Sequence, residues 1–159
     1  MSQDVAPDQA RLGLRIVYYT LEAVIIIYSW AVVSFPFEAG PPVPIQINDG
    51  LRLALELLGA AAAVIAVVLG RTLLEPTRLA RFSADSSTPY LQVVCTYLLI
   101  YALAEVPMVV GLALLITSGS MSLAGFASIL VLLLVPSPGG GRWSELSARL
   151  GRPEHAMAR

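Results

Sequence analysis

The sequence predicts an all-α polytopic membrane protein, a bundle of four transmembrane helices with both termini cytoplasmic. Three observations point there. Of 159 residues, 57% are hydrophobic and 13% charged, against about 25% charged in a typical soluble domain. The missing charge is missing from four runs, residues 12–35, 51–74, 91–117 and 118–135, and about 20 mostly apolar residues suffice to cross the hydrocarbon core. The runs do not alternate in polarity, as the strands of a membrane barrel would have to.

The chain then divides into a cytoplasmic arm (1–11), the four-helix domain (12–135) and a cytoplasmic tail (136–159). Before the first run, MSQDVAPDQA carries no basic residue until Arg11. The apolar stretch that follows is too long for a signal-peptide core and lacks a small-residue cleavage site, so a retained helix is expected. Trp30, Phe35 and Phe37 crowd its end, as an interfacial aromatic belt would. The connection that follows, FPFEAGPPVPIQINDG, is too rich in Pro and Gly to extend a helix. Asn48 or Asp49 is positioned to cap the second helix.

That second helix reads LGAAAAVIAVVLG in its middle. Gly59 and Ala63 lie four residues apart, as do Ala62, Ala66 and Gly70. Small residues at this spacing let helix backbones approach closely and gain contacts that lipid does not supply. The expected neighbour is the third helix or the first. Faces of this kind also suit self-association or docking to other membrane subunits.

Residues 75–89 read as a cytoplasmic connection ending in Ser87-Thr88-Pro89, a cap with proline in the first turn of the third helix. The fourth run reaches spanning length when residues 118–120 form its first turn. SPGGG after Pro136 then breaks it. RWSELSARLGR reads either as a short amphipathic helix on the membrane surface or as a frayed tail.

Orientation follows from arginine, the only cation used. Arg11 and Arg15, then Arg71, Arg78 and Arg81, then Arg142, Arg149, Arg152 and Arg159 fall on one side; only Arg52 falls on the other. The bias of positive charge toward the cytoplasm places both termini and the middle connection there. The expected location is the inner membrane of a bacterium. Lone Cys95 excludes an internal disulfide framework and reads as a small packing residue.

Glu22, Glu56 and Glu105 lie inside the runs. A charged side chain at the bilayer midplane costs roughly 3 to over 10 kcal/mol, so such residues mark partners or function. At 1.5 Å per residue, Glu56 and Glu105 sit about 21 Å from the cytoplasmic end of their runs and Glu22 about 15 Å. Arg52 is one turn from Glu56, which reads as a structural ion pair. Arg15 is two turns from Glu22 and is free to snorkel to the headgroups instead. Glu105 has no basic neighbour within two turns.

Glu105 is the sharpest candidate for a proton- or ion-binding group, with Glu22 second. Tyr97, Tyr101 and Glu105 recur at spacing four and share one helix face. Pro107 removes a backbone donor and frees the Leu103 carbonyl, a candidate kink beside the carboxyl. Packing tyrosines and an ordinary membrane-helix irregularity account for the same residues.

The segment ALAEVPMVVGLALLI resembles the carboxylate-bearing helix of the ATP synthase c subunits, the rotary ATPase proteolipids. Glu105 followed by Gly111 and Leu112 matches the motif, and the small-residue helix from Gly59 to Gly70 with an arginine-containing loop is similar to the family's hairpin. The resemblance implies that Glu105 binds a proton or ion. It covers one helix; the family hairpin has two helices where this chain has four, and the aromatic often found before the glycine is Val110 here. The same Ala-Glu-x-Pro…Gly-Leu helix is also similar to that of a family of small bacterial membrane proteins, which implies no defined activity.

No phosphate loop, dinucleotide glycine pattern or metal-ligand cluster is present in the sequence, and His155 stands alone in the tail. No cofactor and no enzymatic activity are expected. The net charge of −1 suits membrane topology rather than nucleic-acid binding. Two classes of function remain, a structural or accessory membrane subunit and a proton- or small-cation-handling protein acting through Glu105.

Overall fold

Proline opens three of the helices in this computed structural model, which describes residues 6–34, 47–84, 86–118, 127, 130–131, 133–139 and 141–150. They are α1 (Pro7–Ser34), α3 (Pro76–Ala84) and α4 (Pro89–Ser118). The first-turn N–H that proline lacks has no intrahelical partner in any case, so the fixed φ is gained without loss. α2 (Asp49–Leu73) begins differently. The Asn48 side chain accepts a hydrogen bond from the Leu51 N–H at 2.7 Å, so Asn48 rather than Asp49 is the cap. The last helix, α5, spans Gly141–Leu150.

All regular structure among the described residues is helical. α2 and α4 have the length and composition to cross a membrane, with mean hydropathies of 2.4 and 2.3 over their most apolar windows. Their ends fall within two residues of the runs read from sequence. Residues 35–46, most of the connection after α1, lie outside the described residues, with Phe35 and Phe37 of the aromatic belt. So do His155 and much of the fourth run. Where that run is described, Ala127, Leu130, Val131, Leu133 and Leu134 are helical.

α4 is the central helix. α2 packs along one side of it and α1 along another. The small residues Gly59, Ala62, Ala63, Ala66 and Gly70 are the buried face of α2. The third helix is thus the main neighbour of this stripe, and the close approach is made within the chain. Gly70 marks a close approach within it. A Cβ there would stand 3.2 Å from Val135 Cγ2 and 3.6 Å from Ile100 Cγ2, so only hydrogen fits without displacement. Gly111 is buried on α4. Pro107 is also buried, and α4 remains a single helix across it.

Residues 75–89 are not a plain connection. They hold α3, a polar nine-residue helix that buries Leu79, Ala80 and Ser83. α3 packs on α5 and on α4. α5 settles the alternative left open for the tail. It is helical, amphipathic and docked, burying Trp143 and Leu146 with Leu150 half-buried, one stripe at helical spacing. Cys95 also departs from expectation. It is exposed, one turn after exposed Leu91 and one turn before exposed Leu98 and Leu99, on the outward face of α4.

Candidate functional site

The side chains singled out by the sequence fall into two groups on α4. The first is aromatic. Tyr97 and Tyr101 are buried one turn apart, with ring centroids 5.8 Å from each other. Tyr18 reaches across from α1 to meet Tyr101 at 5.8 Å. These separations are within the range where tilted aromatic pairs attract. Tyr18 lies one helical turn before Glu22, whose carboxylate acts electrostatically on its hydroxyl.

Tyr101 is 1% exposed, yet its hydroxyl has no hydrogen-bond partner among the described residues. A buried, unpaired polar group costs about 1–3 kcal/mol, so this phenol is an open hydrogen-bonding position in the core. Arg142, in the first turn of α5, lies close enough to Tyr97 to act on it electrostatically. The tyrosine cluster therefore joins α1 and α4.

Glu105 forms the second group. It is half-buried and lines a small void of about 10 Å³ with Leu21, Ile25, Ala104 and Met108. A void of this size is at the lower limit for one water, which needs two or more polar partners. Its lining offers the Glu105 carboxyl among apolar side chains. Tyr97, Tyr101 and Glu105 lie along α4, but the Tyr101 hydroxyl has no hydrogen-bond partner among the described residues and the space beside Glu105 is walled by hydrocarbon. No group of three or more His, Cys, Asp or Glu side chains able to hold a metal ion occurs among the described residues.

Arg15 turns away from Glu22. Its guanidinium carbon lies 5.7 Å from the ring centroid of Tyr19, and its Nη2 is 3.5 Å from the Tyr19 hydroxyl. Ion pairs among the described residues join Arg78 to Glu75 at 3.2 Å and Arg149 to Glu145 at 2.8 Å. Arg52 is exposed, and half-buried Glu56 acts electrostatically on Tyr28 of α1.

Tyr18 and Arg142 were not among the candidates read from sequence. Tyr18 carried a usable signal, since it precedes Glu22 by one turn. Arg142 carried none, because only the docking of α5 brings it to Tyr97.

The chain matches no protein-family model, no curated protein and no solved structure. The likeness of the Glu105 helix to ATP synthase c subunits thus rests on Glu105, Gly111, Leu112 and the small-residue stripe alone.

Proposed function

We propose that this chain is an integral protein of a bacterial inner membrane, with four spanning helices and both ends in the cytoplasm, and that it serves as a structural or accessory membrane subunit rather than an enzyme. The observation that carries the reading is the outward surface of the long helices. Ile26, Ile27 and Trp30 of α1, Leu57 and Val64 of α2, and Leu99 and Val109 of α4 are each more than half exposed. Water would penalise that surface at about 25 cal/mol per Å², whereas acyl chains solvate it without cost.

The accessory role is supported by what the interior offers. Among the described residues, three phenols, two glutamates and a void with one polar group are set within the packing of α1 and α4. Other membrane subunits would meet the protein on its large-residue outer faces, because the α2 stripe is occupied by α4. The test is purification of the tagged protein from its own membranes in mild detergent. A membrane subunit recovered in fixed stoichiometry supports the accessory role, and a monodisperse chain free of partners contradicts it.

A second reading is favoured by one observation. No hydrogen bond or ion pair reaches Glu105 from the described residues, so its carboxyl is available to a proton. A small cation is a poorer guest there, since the void brings no second ligand. This c-subunit-like reading predicts proton flux in proteoliposomes that Glu105→Gln abolishes while folding is retained. Equal flux in wild type and variant eliminates it.

A further inference from the structure

A cleft of about 750 Å³ opens where α1, the end of α2, the start of α3, residues 133–139 and the first turn of α5 meet. Its walls carry four charged side chains, Arg71, Glu75, Arg142 and Glu145. They are not equivalent. Glu75 is held by Arg78 at 3.2 Å and also accepts from the Thr77 hydroxyl at 2.8 Å. Glu145 is held by Arg149 at 2.8 Å. Both acids are thus neutralised from outside the cleft, whereas Arg71 and Arg142 make no ion pair among the described residues.

The balance inside is therefore positive. The first turn of α5 adds to it, because Gly141 lies in the wall and the first N–H groups of a helix have no intrahelical partner. Tyr18 also lines the same wall. Two unpaired guanidinium groups across a cleft of this size suit a phosphate, which guanidinium recognises through paired N–H donors.

The apolar part of the wall decides which phosphate. Leu133 and Leu134 line the cleft and remain 77% and 41% exposed, with Val135 and Pro136 beside them. A free phosphate has no use for such a surface, while an acyl chain does. We propose that the cleft binds the phosphate of an anionic phospholipid headgroup between Arg71 and Arg142, with the acyl chains along Leu133 and Leu134. The proposal rests on the membrane reading above, which puts this end of the bundle at the cytoplasmic interface, where anionic lipids attract basic residues.

The test is native mass spectrometry of the full chain in detergent, titrated with phosphatidylglycerol, phosphatidylcholine or glycerol 3-phosphate. The variants are Arg71→Gln/Arg142→Gln and, on the same face but outside the cleft, Arg81→Gln. Wild type is expected to retain one phosphatidylglycerol in preference to phosphatidylcholine. The double variant is expected to bind it about tenfold more weakly, with Arg81→Gln unchanged.

Equal phosphatidylglycerol binding by the double variant overturns the site, as does equal loss in Arg81→Gln, which would reduce the effect to bulk surface charge. Binding of glycerol 3-phosphate as tight as that of the lipid overturns the lipid assignment in favour of a free phosphate ester. Carbonate washing of the same membranes separates the two readings. Wild type released by the wash overturns the membrane reading and this proposal together. Wild type and double variant both retained, with arginine-independent lipid binding, overturns the cleft alone. Unchanged circular dichroism of the double variant shows that its loss of lipid is not a loss of fold.

Discussion

The α2–α4 pair and the α3–α5 pair are built by opposite rules. Between α2 and α4 the buried side chains of α2 are the smallest ones, Gly59, Ala62, Ala63, Ala66 and Gly70, while Leu53, Leu57, Leu58, Val64 and Val68 are exposed. Between α3 and α5 the large side chains Leu79, Trp143 and Leu146 are inside and Arg78, Arg81 and Glu145 are outside. The second arrangement is what water produces, since burial of apolar area drives it. The first is what a hydrocarbon solvent produces. There large apolar groups gain nothing by burial, and helix association comes from close backbone contact. On the proposed membrane reading, one short chain is written for two solvents, and the change of rule falls near Leu74 and Pro89, where α2 ends and α4 begins.

That contrast can be broken experimentally, beginning with its strongest contact. Trp143→Ala removes the ring that packs against Tyr90 at 6.5 Å and belongs to the main core. A large-to-alanine change of this kind costs about 3–5 kcal/mol. Because α5 is an appended layer, the expected outcome is selective undocking, read as rapid proteolysis of the tail with the apolar bundle intact. Retained protease resistance would show that the ring does not hold the layer in place.

Ala66→Leu overfills the α2–α4 seam at a position with no exposure. Overpacking costs about 1–3 kcal/mol, and a lower Tm in detergent should report it. The same substitution at exposed Ala60 should be nearly neutral. Equal effects at the two positions would deny that α2 has a small inner face. Next in size, Asn48→Ala removes the α2 cap and is expected to cost about 1 kcal/mol, visible as faster hydrogen exchange at Leu51 and its neighbours. Smallest is Glu145→Gln, which breaks an exposed i, i+4 ion pair worth about 0.3–0.5 kcal/mol. Thermal unfolding should scarcely register it, and a shift of several degrees would assign Glu145 a larger part in docking α5.

The long helices were legible in sequence because hydropathy alone marks them, and Pro89 and Asn48 fix where two of them begin. The sides of those helices were harder to read. α4 is apolar all round, so no periodicity distinguishes its inner from its outer face, and exposed Cys95 reads like any small residue in such a run. α3 escaped notice because it lacks an apolar run. Its signals, Pro76 at the first position and Leu79, Ala80 and Ser83 on one face, are short-range and polar. The cleft was invisible for a different reason. Arg71, Arg142 and Leu133 are far apart in sequence and become neighbours only through packing.

The claim that one chain serves two solvents is tested most directly by spin labels at single cysteines in a Cys95→Ala background, reconstituted in lipid. One label replaces exposed Ala102 in the middle of α4, and the other replaces exposed Ser144 on α5. Collision with dissolved oxygen and with a water-soluble nickel complex reports the solvent around each. The account predicts that oxygen dominates at position 102 and nickel at position 144. Nickel reaching position 102 as readily as position 144 would place α4 in water and contradict the account.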